Sequence, residues 1–161
     1  MPTANQLAAQ ATRSVQRVYV IPVSADGRLI LQRHLAGVHT YWAYLSMARG
    51  ALRTDPATIA RRLVRVHLGG QARQMRLVHI FGPARSHPRA AVYAAALTQT
   101  AAEITESQRD GRPRTPMQAL TVTTETFGTL DIRPYEISRL LAEGADPAAS
   151  ALTLPDLTIN G

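Results

Sequence analysis

The sequence contains no cysteine, which removes disulfides, thiolate metal ligands and cysteine nucleophiles together. It contains no lysine either: all 18 basic residues are arginine, set against 11 acidic ones. Aromatic residues are few, with one Trp, two Phe and five Tyr. A core must therefore be built from Leu, Val, Ile and Ala, and extended stacking of bases on aromatic rings is disfavoured. No stretch reaches the roughly 18 apolar residues that span a bilayer. Residues 1–13 are rich in Ala and Gln, without the basic start and apolar run of a secretory leader. These absences lead us to expect a soluble, cytoplasmic chain with no membrane partner.

What is present suits one domain: 161 residues, 45% of them apolar, supply one sizeable core. A formal charge of +7 and a pI near 11 make nucleotides, nucleic acid and acidic proteins reasonable partners, because the arginine fork matches phosphate geometry. An arginine-only, alanine-rich composition also follows from GC-rich coding, so charge alone does not define a ligand.

Along the chain, Val18-Tyr19-Val20-Ile21 reads as a strand, and Ser24-Ala25-Asp26-Gly27 as a hairpin turn returning through Arg28 to Arg33. After Gly37 comes Tyr41 to Met47 and a turn at Gly50. Thr54-Asp55-Pro56 offers a capped helix start, and Gly69-Gly70 a stop, which predicts a helix over Pro56 to Leu68. Its apolar face is expected to hold Ile59, Ala60, Leu63, Val64 and Val66, with Arg61, Arg62 and Arg65 opposite. Arg76 to Phe81, Ala90 to Leu97 and Ala119 to Thr124 read as strands, and Thr98 to Pro116 as a long polar surface loop. A second amphipathic helix is expected from Tyr135 to Ala142, stopped by Gly144 and Asp146-Pro147. Strands and helices interleave, so the expectation is α/β, a mixed sheet with helices packed on it.

This order of elements resembles a Nudix domain over residues 15–144. The hairpin Val18 to Arg33 resembles the family's opening strands, and Tyr41 to Leu52 the Trp-containing approach to its glycine loop. Arg61-Arg62-Leu63 through Gly69 resembles the helix of the Nudix box, and Ile132 to Gly144 the closing helix. The resemblance implies an α/β/α sandwich with a mixed β-sheet, preceded by an extension over residues 1–14. A tail over residues 145–161 is expected to pack on the domain. Family members are often dimers, so a homodimer is a further expectation.

The family box reads G-x5-E-x7-R-E-U-x-E-E-x-G-U, with U a bulky aliphatic residue, and its helix glutamates hold divalent metal as hard oxygen ligands. With Gly69 at the late glycine, Arg62 takes the arginine position and Val64 the aliphatic one. The three glutamates then fall on Leu63, Val66 and His67, and Gly70 replaces the final aliphatic. The early glycine and glutamate fall on Ala48 and Thr54, with Gly50 and Asp55 nearby. Between Arg49 and Arg76 there are seven arginines and one acid. The expectation is a Nudix-type protein without catalytic residues, metal site or cofactor, serving as a nucleotide, nucleic-acid or protein-binding module. The alternative is a noncanonical, Mg-dependent hydrolase of nucleoside-diphosphate-type compounds drawing on Asp55 and on Glu103, Glu106 and Asp110 of the long loop.

The candidate ligand-binding residues are Arg61, Arg62, Arg65, His67 and Trp42. Each has a plainer reading beside the functional one. The arginines hold an anion, or form a solvated helix face. His67 donates to phosphate, or packs with a hydrogen-bonded ring. Trp42 and Tyr44 sandwich a base, or pack the sheet. His34, His39, His79 and His87 show no metal-ligand spacing.

Overall fold

The computed structural model describes residues 14–50, 54–70, 72–83, 88–111, 117–120 and 129–142. The tail, His87, Gly144, Asp146-Pro147 and all of the N-terminal extension but Ser14 lie outside them.

Eight strands form one mixed sheet: β1 (Arg17–Val23), β2 (Leu29–Ala36), β3 (His39–Ala43), β4 (Leu45–Ala48), β5 (Ala72–Phe81), β6 (Ala90–Leu97), β7 (Met117–Leu120) and β8 (Ile132–Arg133). Among the described residues the helices are α1 (Pro56–Leu68), α2 (Ala101–Gly111) and α3 (Tyr135–Ala142). The sheet runs β5-β6-β1-β2-β3-β8, with β4 also on β1 and β7 also on β2. Among the described residues no helix is long and apolar enough to cross a membrane.

β1 and β2 meet at the hairpin end, where Val23 opposes Leu29 beside a turn whose Gly27 has φ 80°. Beyond it they diverge. β1 takes β4 antiparallel on one edge and β6 parallel along the other, from Arg17 opposite Ala90 to Val23 opposite Ala96. β2 takes β7 and then β3. The segment from His39 to Ala48 forms two strands, broken at Tyr44, that serve different neighbours and curl the sheet.

Side-chain alternation sends the two faces of the sheet into two cores. Val18, Val20, Ile30, Leu45, Ala91, Tyr93 and Ala95 pack with Ile59, Leu63 and Val64 of α1 and Ile104 of α2. Ile21, Leu29, Leu31, Tyr44, Val92 and Ala94 pack with Ile137 and Leu141 of α3. The result is the expected α/β/α sandwich. Every residue of β6 is buried, as a strand covered on both faces must be.

α1 begins and ends where its sequence directs. Asp55 caps it through Thr58 N (3.4 Å), Pro56 opens the first turn, and Gly69 closes it at φ 66°, its N–H donating to the Arg65 carbonyl. Val66 departs from expectation. It is 65% exposed, because it lies at the rim of an apolar arc centred nearer Ala60 and Leu63. Gly70, in place of an aliphatic residue, leaves room for the Gln99 carboxamide, which a Cβ there would strike.

The expected polar loop over Thr98 to Pro116 is largely helix α2. Thr100 caps its start: the Glu103 N–H donates to Thr100 Oγ1 (3.2 Å), and that hydroxyl donates to the Glu103 carboxylate (3.2 Å). Asp26 of the hairpin turn accepts from Ala101 N at 2.9 Å and ties the helix start to the sheet. β5 starts at Ala72 rather than Arg76, and β7 at Met117 rather than Ala119.

Candidate functional site

The five residues singled out from the sequence occupy three separate places. Arg61, Arg62 and Arg65 are exposed on the outer side of α1. His67 turns inward at the end of that helix, half-buried, with Nδ1 3.3 Å from the Gln32 amide nitrogen. Burial lowers its pKa, which favours the neutral ring that can accept this bond. Trp42 lies across the sheet, on the α3 side, its indole N–H donating to Gln118 Oε1 at 3.3 Å. Tyr44 is buried on that same side and packs the sheet.

The other two box positions follow from how α1 packs. Leu63 is fully buried against the sheet, whereas Val66 points to solvent. The carboxylates that could substitute are largely spent on architecture. Asp55 caps α1, Glu103 accepts from the Thr100 hydroxyl that caps α2, and Asp26 accepts from Ser24 Oγ (2.6 Å) as well as Ala101 N. Those bonds hold the Asp26 pKa below its ordinary value. Glu106 is exposed beside a groove of about 590 Å³ that Asp26 and Arg28 also line. Among the described residues no three His, Asp or Glu side chains gather as metal ligands. The Asp110 side chain lies outside the described residues.

Chemistry-bearing side chains concentrate instead near β8. Asp131 accepts from Arg133 Nη2 (2.9 Å), His39 Nε2 (2.7 Å) and Tyr135 OH (2.7 Å). This donor set, the Arg133 bonds first, holds its carboxyl well below the usual carboxylate range. His34 of β2 stacks on Tyr41 of β3 at 5.0 Å, and the Arg133 guanidinium sits 4.0 Å from the Tyr41 ring centre. A row across three strands therefore fixes where Arg133 lies. Arg133 spends Nε and Nη2 on Asp131, leaving three of its five N–H donors for other partners. His79 is placed otherwise, edge-on to Phe81 at 4.6 Å.

Arg133 leads through a cis peptide bond to Pro134, and these two with Tyr135, Glu136, Tyr19, Phe81 and Ala90 line a groove of about 290 Å³. Burial raises the Tyr19 pKa, opposed by nearby Arg17 and a hydrogen bond with Ser46. Arg17 also donates to Ser46 Oγ at 2.7 Å, so the wall behind Tyr19 is braced. The groove presents aromatic and apolar walls, with Arg133 and Glu136 as its charged lining residues. Its residues come from β1, β5, β6 and the β8–α3 junction, and no sequence motif links them.

The sheet split at β1 and β2, sandwiched between α1 with α2 and α3, defines an α/β/α class with known counterparts. No family model and no curated protein matches the sequence. Among solved structures, one from work on MutT of Aliivibrio salmonicida and Vibrio cholerae superposes with a TM-score of 0.55 at 11% identity. It covers 80% of this chain and 93% of that one. A Bacillus subtilis pyrophosphohydrolase gives 0.48 at 13% identity, over 73% and 70% of the two chains. An ADP compounds hydrolase gives 0.43 at 19%, over 67% and 57%. At these identities the MutT likeness speaks for architecture: this chain has the Nudix fold.

Proposed function

We propose that this chain is a noncatalytic Nudix-fold module that binds a nucleotide in the groove between β1, β6 and the start of α3. The observation that carries the reading is the pairing of Tyr19, Phe81 and Tyr135 with the fixed Arg133 guanidinium around about 290 Å³. A nucleobase gains most between aromatic and apolar walls, and a phosphate gains from an arginine whose plane is already held. Asp131 supplies that hold. Absence of hydrolysis is supported by the box helix: its three glutamate positions carry a core leucine, a solvent-facing valine and a histidine bonded to Gln32.

A hydrolase reading would draw on Asp55, Glu103 and Glu106, and two of these are engaged at helix starts. Glu106, beside the larger groove, is the observation that favours it. Titrating the full chain with a nucleoside diphosphate by calorimetry tests the binding site. Tyr135 is 55% exposed, so its removal leaves the cores intact. Tyr135→Ala should weaken binding about 5- to 150-fold, since a stacked base is worth about 1–3 kcal/mol. Tyr135→Phe should keep most of the affinity. Equal affinity in the alanine variant, or no binding by the parent chain, would remove the groove from consideration.

A further inference from the structure

The exposed arginines of α1 lie on the far side of the sheet from the groove, and a nucleotide seated there leaves them unused. We infer that Arg61, Arg62 and Arg65 form a separate surface that binds the phosphodiester backbone of nucleic acid without regard to sequence.

Three observations carry this. All three side chains are exposed, and among the described residues none of them makes a hydrogen bond or an ion pair with a carboxylate. The neighbour with which Arg61 interacts electrostatically is the Tyr93 hydroxyl. Second, no acidic residue occurs from Pro56 to Leu68, and the one carboxylate belonging to the helix, the N-cap Asp55, lies before its first turn and accepts from Thr58 N. Exposed helix arginines are ordinarily supported by glutamates three or four residues away, and like charges at that spacing cost stability. Arg65 has a local reason to be cationic, because it lies in the last turn, where the helix dipole favours positive charge. Arg61 and Arg62 have no such reason.

Third, the geometry suits a chain of phosphates rather than one point charge. Arg61 and Arg65 are separated by about 6 Å along the axis, with Arg62 between them, and all three fall within an arc of about 100°. Each planar fork can take a phosphate oxygen pair. Val66, 65% exposed and beside Arg62, extends the surface with an apolar contact. The remaining chain adds a favourable field, with a net charge of +7.

Fluorescence anisotropy with labelled 20-nucleotide RNA, the matching single-stranded DNA and the duplex tests the inference on the full chain. Binding should be micromolar or somewhat weaker at about 50 mM salt. With three phosphate contacts, affinity should fall roughly 20-fold for single strands and roughly 40-fold for duplex on raising salt to about 200 mM. The triple variant Arg61→Gln/Arg62→Gln/Arg65→Gln should lose at least about 10-fold at low salt. Its salt slope should flatten by about 0.7 for single strands and about 0.9 for duplex for each arginine removed. A control, Arg28→Gln/Arg33→Gln/Arg139→Gln, removes equal charge from exposed positions elsewhere and should retain affinity within about 3-fold. Equal loss in the control would assign binding to net charge and overturn the surface. No binding to any of the three nucleic acids at low salt would overturn it too, and would leave an acidic protein as the partner. Neither result bears on the groove, which these variants leave intact.

Discussion

Leu63→Ala should destabilise the fold by about 2–5 kcal/mol, among the largest losses available from one side chain. Leu63 is fully buried where α1 meets the sheet, in the cluster of Val18, Val20, Leu45 and Tyr93. On the β6 side its neighbours include Ala91 and Ala95, which supply little bulk. When the leucine is truncated, alanines cannot swing in to fill the space, so a cavity persists. Leu63→Met conserves volume and should cost less than about 1.5 kcal/mol. Denaturant unfolding of the three chains measures the difference. An unchanged midpoint in the alanine variant would mean that α1 presents another face to the sheet. Where the resemblance leads one to expect a metal-binding glutamate, Leu63 belongs to the core.

Tyr44→Ala should cost about 3–5 kcal/mol and should also abolish binding in the groove. Tyr44 is buried at the point where β3 gives way to β4. Its hydroxyl meets Ser138 Oγ at 2.9 Å, and Ser138 donates to the Ile132 carbonyl at 3.1 Å. This short chain of bonds joins the sheet break to α3 and β8. Burial raises the Tyr44 pKa, so the hydroxyl stays protonated. Removing the ring frees α3, whose first residues Tyr135 and Glu136 wall the groove. Tyr44→Phe keeps the packing and leaves Ser138 its carbonyl partner, and should cost about 1 kcal/mol. Unfolding and nucleotide titration on the same preparations check both effects. Full affinity in a destabilised alanine variant would separate α3 from the site.

Local signals in the sequence carried the fold far. The Asp55 cap, Pro56 and Gly69 bound α1 to the residue, and Asp26-Gly27 marked the hairpin. α2 was harder to see, because only Ala101 and Ile104 among its characterised side chains are buried. With so thin an apolar stripe, the polar, turn-forming composition of the segment reads as loop. Val66 was misplaced because a helical wheel gives the arc but not how much of it a curled sheet covers. The candidate site was the least legible part. Tyr19, Phe81 and Tyr135 are far apart in the chain and meet only after the sheet closes. The duties of Asp26 were equally hidden, since its partner Ala101 lies 75 residues away. Which acids a fold consumes as caps is a tertiary fact, and it bears directly on which remain for chemistry.

We propose that a Nudix fold here binds a nucleotide without hydrolysing it. Phosphorus NMR of a nucleoside diphosphate derivative with the full chain and Mg²⁺ tests both halves in one sample. The account predicts broadened or shifted phosphate resonances on adding protein, with no new phosphate species over prolonged incubation. New product resonances that require Mg²⁺, and that vanish in Asp55→Asn or Glu106→Gln, would contradict it and establish a hydrolase built on carboxylates outside the box helix.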